Sequence, residues 1–147
     1  MRIPARIGLF TVFLIFACNA SALAHCEIPC GIYGDEMRIQ MMNEHLMTIR
    51  KSMKQVKALQ TEDPVNSNQL VRWVMNKEDH ANQLQDIISQ YWLTQRIKPG
   101  DADYDHKLRL LHQMLVSAMK CKQTTDDKHV DDLHRLIHEF EHLYFKD

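Results

Sequence analysis

Asp35-Glu36-Met37-Arg38-Ile39-Gln40-Met41-Met42-Asn43-Glu44-His45-Leu46-Met47-Thr48-Ile49-Arg50-Lys51-Ser52-Met53-Lys54-Gln55-Val56-Lys57-Ala58-Leu59-Gln60 contains neither glycine nor proline. Its apolar residues Ile39, Met42, Leu46, Ile49, Met53 and Val56 recur at steps of three and four. That spacing places them on one stripe of an α-helix, the side that faces a partner, with charged residues between. Asp35 is the candidate N-cap. The methionines of this helix read as core and subunit-contact residues, because a flexible thioether fills irregular gaps.

The same period returns three times. Glu62-Asp63-Pro64-Val65-Asn66-Ser67 is a loop with Pro64 as breaker, and Asn66 or Ser67 opens a second helix of about residues 68–98. Val71, Val74, Ala81, Leu84, Ile88 and Tyr91 form its stripe, which Lys77 and Glu78 interrupt, and Pro99-Gly100 ends it. A third segment, about residues 103–122, carries Tyr104, Leu108, Leu111, Leu115 and Ala118; a fourth, about 126–146, carries Val130, Leu133, Ile137, Phe140 and Tyr144. No strand alternation appears. Four amphipathic helices of similar length with short links specify an all-α, up-down-up-down four-helix bundle. Burying each large apolar side chain contributes ~1.5–3 kcal/mol, so the core is adequate.

Ahead of the bundle stands His25-Cys26-Glu27-Ile28-Pro29-Cys30-Gly31-Ile32-Tyr33. The first 24 residues have the order of a secretory signal peptide: Arg2 and Arg6, an apolar run from Ile7 to Ala17, then Ala22-Leu23-Ala24. Cleavage after Ala24 makes His25 the first residue, with a free amine beside its imidazole. That amine and the deprotonated amide nitrogen of Cys26 close a five-membered ring on a metal, and the amide and the Cys26 thiolate close a second. Pro29 bends the chain so that the Cys30 thiolate can reach the fourth corner, and Gly31 permits the turn beside it. Two nitrogens and two thiolates in a plane suit nickel(II) or copper(II), whereas zinc prefers a tetrahedron. The His25 imidazole is left for the axial position. Two other readings stay open on spacing alone: a Cys26–Cys30 disulfide, and structural zinc. Neither gives cleavage before His25 a role.

The stretch resembles the nickel hook of the nickel superoxide dismutase family, His-Cys-x-x-Pro-Cys-Gly-x-Tyr at the mature amino terminus. His25, Cys26, Pro29, Cys30, Gly31 and Tyr33 match every fixed position. The resemblance implies one nickel ion per subunit, held by His25 through amine and imidazole, Cys26 through amide and thiolate, and Cys30 through thiolate. It implies Tyr33 at the mouth of the site, a cis bond at Ile28–Pro29, and His25, Cys26, Cys30 and Tyr33 as the catalytic set. The implied reaction converts superoxide to dioxygen and hydrogen peroxide by Ni(II)/Ni(III) cycling. A four-helix bundle assembled as a homohexamer is implied over residues 25–147, with 25–33 the hook and 35–146 the bundle. The family supports its axial imidazole with a carboxylate on the first helix and a basic residue on the second, for which Glu44 and His80 are the candidates here. An alternative function from the same chelate is an exported nickel or copper carrier without catalysis.

The apolar run of the leader is short for a membrane span, so no membrane association is expected after its removal. A lipoprotein cut before Cys18 is the alternative; it would leave seven residues ahead of His25 and destroy the chelate. Export places the protein in the periplasm or outside the cell. Most of the family is cytoplasmic and uses a dedicated peptidase, which makes the cytoplasm the family-based alternative. The whole chain has net charge −1; losing Arg2 and Arg6 makes it −3. Without a basic tract, nucleic-acid binding is not expected. Cys121 reads as a small buried hydrophobe. His138-Glu139-Phe140-Glu141-His142 satisfies both His-Glu-x-x-His and His-x-x-Glu-His, the zinc-protease patterns. It has no third downstream ligand of the usual kind, and together with His134 it reads as a solvated histidine stripe.

Overall fold

The computed structural model describes residues 29–146. The chain divides after Cys30, and residues from Gly31 onward form the helical unit. Helix α1 spans Asp35–Leu59, α2 Ser67–Asp86, α3 Tyr104–Gln123 and α4 Asp127–Tyr144; α2 runs on without a break into a π-helical segment, Ile87–Arg96. Each helix packs on its neighbours in the ring: α1 on α2, α2 on α3, α3 on α4, and α4 back on α1. That closed order is the all-α bundle expected from the four stripes.

Sequence accounts for most helix boundaries. The Asn66 side chain accepts the Gln69 N–H at 3.2 Å and opens α2; the Asp126 side chain accepts the Lys128 N–H at 3.0 Å and opens α4. Gly100, at φ 94, takes the left-handed conformation in the loop before α3. Asp35 departs from its expected role. Gly34 is the N-cap of α1 and Asp35 its first residue. Its carboxylate crosses the bundle to Arg96, Tyr91 and Tyr144, a set of donors that outweighs one backbone N–H.

The stripe of α1 is buried at Ile39, Met42, Leu46, Ile49, Met53 and Val56. It meets Ala81, Leu84, Ile88 and Trp92 of the second helix, Leu111, Met114, Ala118 and Cys121 of α3, and Val130, Leu133, Ile137 and Phe140 of α4, all fully buried. Tyr104, Leu108, Leu115 and Tyr144 pack on this core from its edge. Val71 and Val74 of α2, expected on the buried stripe, are exposed. The polar interruption at Lys77 is instead buried. Its Nζ donates to the Cys121 carbonyl at 2.8 Å and to that of Lys122. These carbonyls close α3, where intrahelical partners run out, so the ammonium is both hydrogen-bonded and favourably placed at the negative end of the helix dipole.

The π segment governs what lies near Tyr33. Its i→i−5 pairing shows in Ile97 N–H to Trp92 O at 3.0 Å, and side chains repeat it: Thr94 Oγ1 to Ser89 O at 2.6 Å, Gln95 Nε2 to Gln90 O at 2.9 Å. On an α-helix, residues five apart point ~140° from each other. With π winding they share a face, and Tyr91 and Arg96 both reach Asp35. Trp92 fills the same end of the core, its ring edge-on to Phe140 and Tyr144 at 4.9 Å each. Such aromatic pairs add to area burial. Ion pairs between α1 and α4, Arg50–Asp131 and Lys57–Asp127 at 2.6 Å, are solvent-exposed and contribute little.

Candidate metal centre

Of the four expected site residues, the structure describes Cys30 and Tyr33. His25, Cys26 and the Ile28–Pro29 bond lie outside the described residues. Cys30 sits exposed at a turn. The next residue, Gly31, has φ 78, a conformation in which any side chain would be strained, so the glycine of the motif has a backbone reason. Cys121, by contrast, is buried, and burial pushes its thiol up to about 11, so it stays protonated and inert as the small hydrophobe expected.

Tyr33 is partly exposed and is held by two groups of the π segment. The Arg96 guanidinium lies over its ring, 4.3 Å from the centroid, and the Tyr91 ring meets it edge-on at 6.1 Å. Arg96 is fixed in turn by Asp35 in a two-point pair, Nε to Oδ1 at 2.8 Å and Nη2 to Oδ2 at 2.6 Å. The Tyr91 hydroxyl donates to the same Oδ1, and that of Tyr144 donates to Oδ2 at 2.8 Å. Arg38 covers the Tyr91 ring at 4.9 Å. Four acceptor positions of one carboxylate are thus filled by one cation and two phenols drawn from the second and fourth helices.

Electrostatics follow this geometry. Burial alone would raise the Asp35 carboxyl, but hydrogen bonds from Arg96, Tyr91 and Tyr144 hold it below its usual range. Burial, followed by donation to the Asp35 carboxylate, pushes both Tyr91 and Tyr144 up to about 12. Both phenols therefore remain protonated donors at any physiological pH. Nothing in the local sequence announced this cluster: its members lie 56, 61 and 109 residues from Asp35.

A second polar contact lies between α1 and α2. His45 Nδ1 and His80 Nδ1 are 2.9 Å apart, so one ring donates and the other accepts. Glu44 is exposed, and it is His45 that the structure pairs with His80. Burial, and then the proximity of His80, lower the pKa of His45 from 6.5. A histidine whose folded value lies below its unfolded one stabilises fully above pH 6.5, and this contribution is lost as pH falls from there toward the folded value. Metal-free protein should therefore melt progressively lower as pH falls below 6.5, and His45→Gln should flatten that slope. A slope unchanged by the substitution would assign the acid sensitivity elsewhere.

The protease-like motif does not assemble. His134, His138 and His142 are exposed, and Glu139 is engaged by Arg135 at 3.2 Å and approached by His106 at 3.4 Å. Among the described residues no group of three or more histidine, cysteine or acidic side chains could hold a metal ion.

The family profile described as nickel-containing superoxide dismutase matches residues 20–147. The chain belongs to the nickel-containing superoxide dismutase family. A search of curated proteins and one of solved structures each returned no match. As a nickel-containing superoxide dismutase, the protein is an oxidoreductase that uses nickel and acts on superoxide. The donor chemistry suits that metal: the matched span includes His25, Cys26 and Cys30, whose imidazole and thiolates are nitrogen and soft sulfur ligands. The zinc-protease and metal-carrier readings give way to this one.

Proposed function

We propose that superoxide is dismutated at the mature amino terminus, where His25, Cys26 and Cys30 hold the nickel and Tyr33 limits what approaches it. The observation that carries this reading is the exposed Cys30 at its turn, with Gly31 at φ 78, in a span that the family profile covers. Nickel bound there supplies a one-electron couple, and anionic thiolates with an amide nitrogen bring its potential into the range superoxide can use. Cys26 and Cys30 must bind as thiolates, so loading releases protons and weakens at low pH. Ligation also ties up sulfur lone pairs that peroxide would otherwise oxidise. Arg96 and Tyr91 hold the Tyr33 ring, and Asp35 holds Arg96, so the gate rests on the bundle through three residues.

Export through the leader of residues 1–24 and assembly into a homohexamer belong to the same proposal. The exposed apolar side chains Met37 and Met47 on α1 and Val71 and Met75 on α2 support self-association, which light scattering of the mature protein measures directly. Intact mass and metal content of the natively purified protein test the site. The expected chain begins at His25 and carries one nickel. A chain with a different first residue, or no nickel, would overturn the assignment. His25→Ala keeps the terminal amine and removes the imidazole. It should still bind nickel but turn over about 10–100-fold more slowly; unchanged turnover would remove the imidazole from the site.

A further inference from the structure

Among the described residues, Arg38 Nε is the one buried side-chain nitrogen or oxygen without a hydrogen-bond partner. Native folds rarely leave such a donor unmet, so the case calls for a physical account. The rest of the guanidinium is hardly better served. Nη1 reaches the Met41 sulfur at 3.9 Å, a weak acceptor, and the group lies 4.9 Å from the centre of the Tyr91 ring. No carboxylate forms an ion pair with Arg38 among the described residues. Its charge is permanent, because a guanidinium does not lose its proton in a protein.

Position gives that charge a use. The Tyr91 ring beneath Arg38 meets Tyr33 edge-on at 6.1 Å, and Arg96 covers Tyr33 at 4.3 Å. Two guanidiniums therefore border this pair of tyrosines. Asp35 neutralises Arg96 in its two-point pair, and its remaining acceptor positions go to Tyr91 and Tyr144. Glu36, on the same turn of α1, instead borders a depression with Gln40, Glu141 and His142 on the α4 side; residues two apart do not share a helix face. Without residues 1–24 the chain has net charge −3, which repels a superoxide anion, so attraction has to be local.

We infer that Arg38 is the cation that guides superoxide to the Tyr33 gate, raising the encounter rate without touching the metal. The inference rests on the metal centre proposed beside Tyr33. A guanidinium that spends no charge on a carboxylate keeps its field for an anion arriving from outside, and the apolar ring face beside it screens that field less than water does.

Superoxide decay, followed by stopped flow with the nickel-loaded mature protein from low to high ionic strength, tests this. Arg38→Gln should lower kcat/KM about 2–5-fold at low ionic strength and leave it unchanged at high, where exposed charges are screened. Arg38→Lys should stay within ~1.5-fold of wild type throughout. Lys54→Gln, an exposed control further along α1, should keep the wild-type salt slope. An unchanged slope in Arg38→Gln would overturn the inference, as would a loss of equal size at high salt, which marks a packing role against Tyr91. A second readout needs no nickel. Cys30 is exposed and three residues from Tyr33, so in reduced, metal-free protein its alkylation by anionic iodoacetate relative to neutral iodoacetamide, resolved by peptide mass mapping, reports the local potential. Arg38→Gln should lower that ratio about 2-fold. Wild-type protein without nickel-dependent turnover would overturn the metal centre and this inference with it, whereas normal turnover with an unaltered alkylation ratio in Arg38→Gln overturns the guiding role alone.

Discussion

Cys30→Ser is expected to lower superoxide dismutation at least ~10³-fold while leaving the helical circular dichroism unchanged. The size follows from what the side chain supplies. An alcohol is a harder and far less acidic donor than a thiol, so serine neither competes for nickel(II) nor brings enough charge to make the ion readily oxidised. A 10³-fold loss is about 4 kcal/mol of transition-state stabilisation, within reach of one lost ligand. Cys30 is exposed and lies outside the hydrophobic core, so the bundle has no reason to respond. Cys26→Ser should match it. A single residue added ahead of His25 should be equally damaging, because it turns the terminal amine into an amide without touching any side chain. Measured nickel content and activity separate the alternatives: normal turnover in either serine variant would refute the ligand assignment.

Asp35→Ala is expected to destabilise the bundle by about 2–4 kcal/mol, read as a drop of roughly 10 °C in melting temperature. Only 16% of the Asp35 side chain and 22% of that of Arg96 is exposed, so truncation leaves a partly buried guanidinium and two phenols without their acceptor. Breaking such a pair costs more than the pair was worth, since desolvation of the survivors is no longer offset. Asp35→Asn should lie between, keeping shape and some acceptor capacity but losing the charge. The pH dependence has a definite sign. The folded-state pKa of Asp35 lies below 3.8, so its contribution is complete above that value and disappears as pH falls through the folded one. The alanine variant should therefore lose less stability than wild type on acidification below about pH 4. Urea melts at pH 7 and pH 3 provide both readings, and a cost under ~0.5 kcal/mol at pH 7 would show that the cluster does not hold this end of the bundle.

A subtler consequence concerns Tyr33. Because Arg96 covers its ring and is bound by Asp35, the Asp35 variants also test whether the gate proposed at Tyr33 needs that support. With nickel content equal to wild type, altered access to the metal would appear in sensitivity to peroxide inactivation, an outcome that bundle stability alone does not predict.

What was legible in the sequence was everything with a short period or a fixed covalent order. Ile39 through Val56 announced a helix face because side chains three and four apart must align on it, and burial of all six followed. The chelate proposed for His25, Cys26 and Cys30 is a reading of covalent order alone, because ring size depends only on how many bonds separate the donors. Asn66 and Asp126 could be read as helix starts from a side chain reaching its own backbone. Val71 and Val74 depart from the expected stripe for a related reason: periodicity shows which residues share a face, not whether a neighbour covers it. Their end of α2 leaves that face to solvent.

Tertiary structure alone decided the rest. The π winding of Ile87–Arg96 turned residues five apart onto one side, and only then could Tyr91 and Arg96 converge on Asp35. Lys77 looked like a flaw in a stripe until the end of α3 arrived with two carbonyls in need of a donor. His45 and His80 acquire meaning from each other, across two helices. The amino-acid order by itself determined the four helices and suggested the donors proposed for the metal, since both depend on interactions within a few bonds or one turn. The placing of charges between helices was decided by packing, because a desolvated ion takes whatever partner the folded chain brings within reach, however distant in sequence.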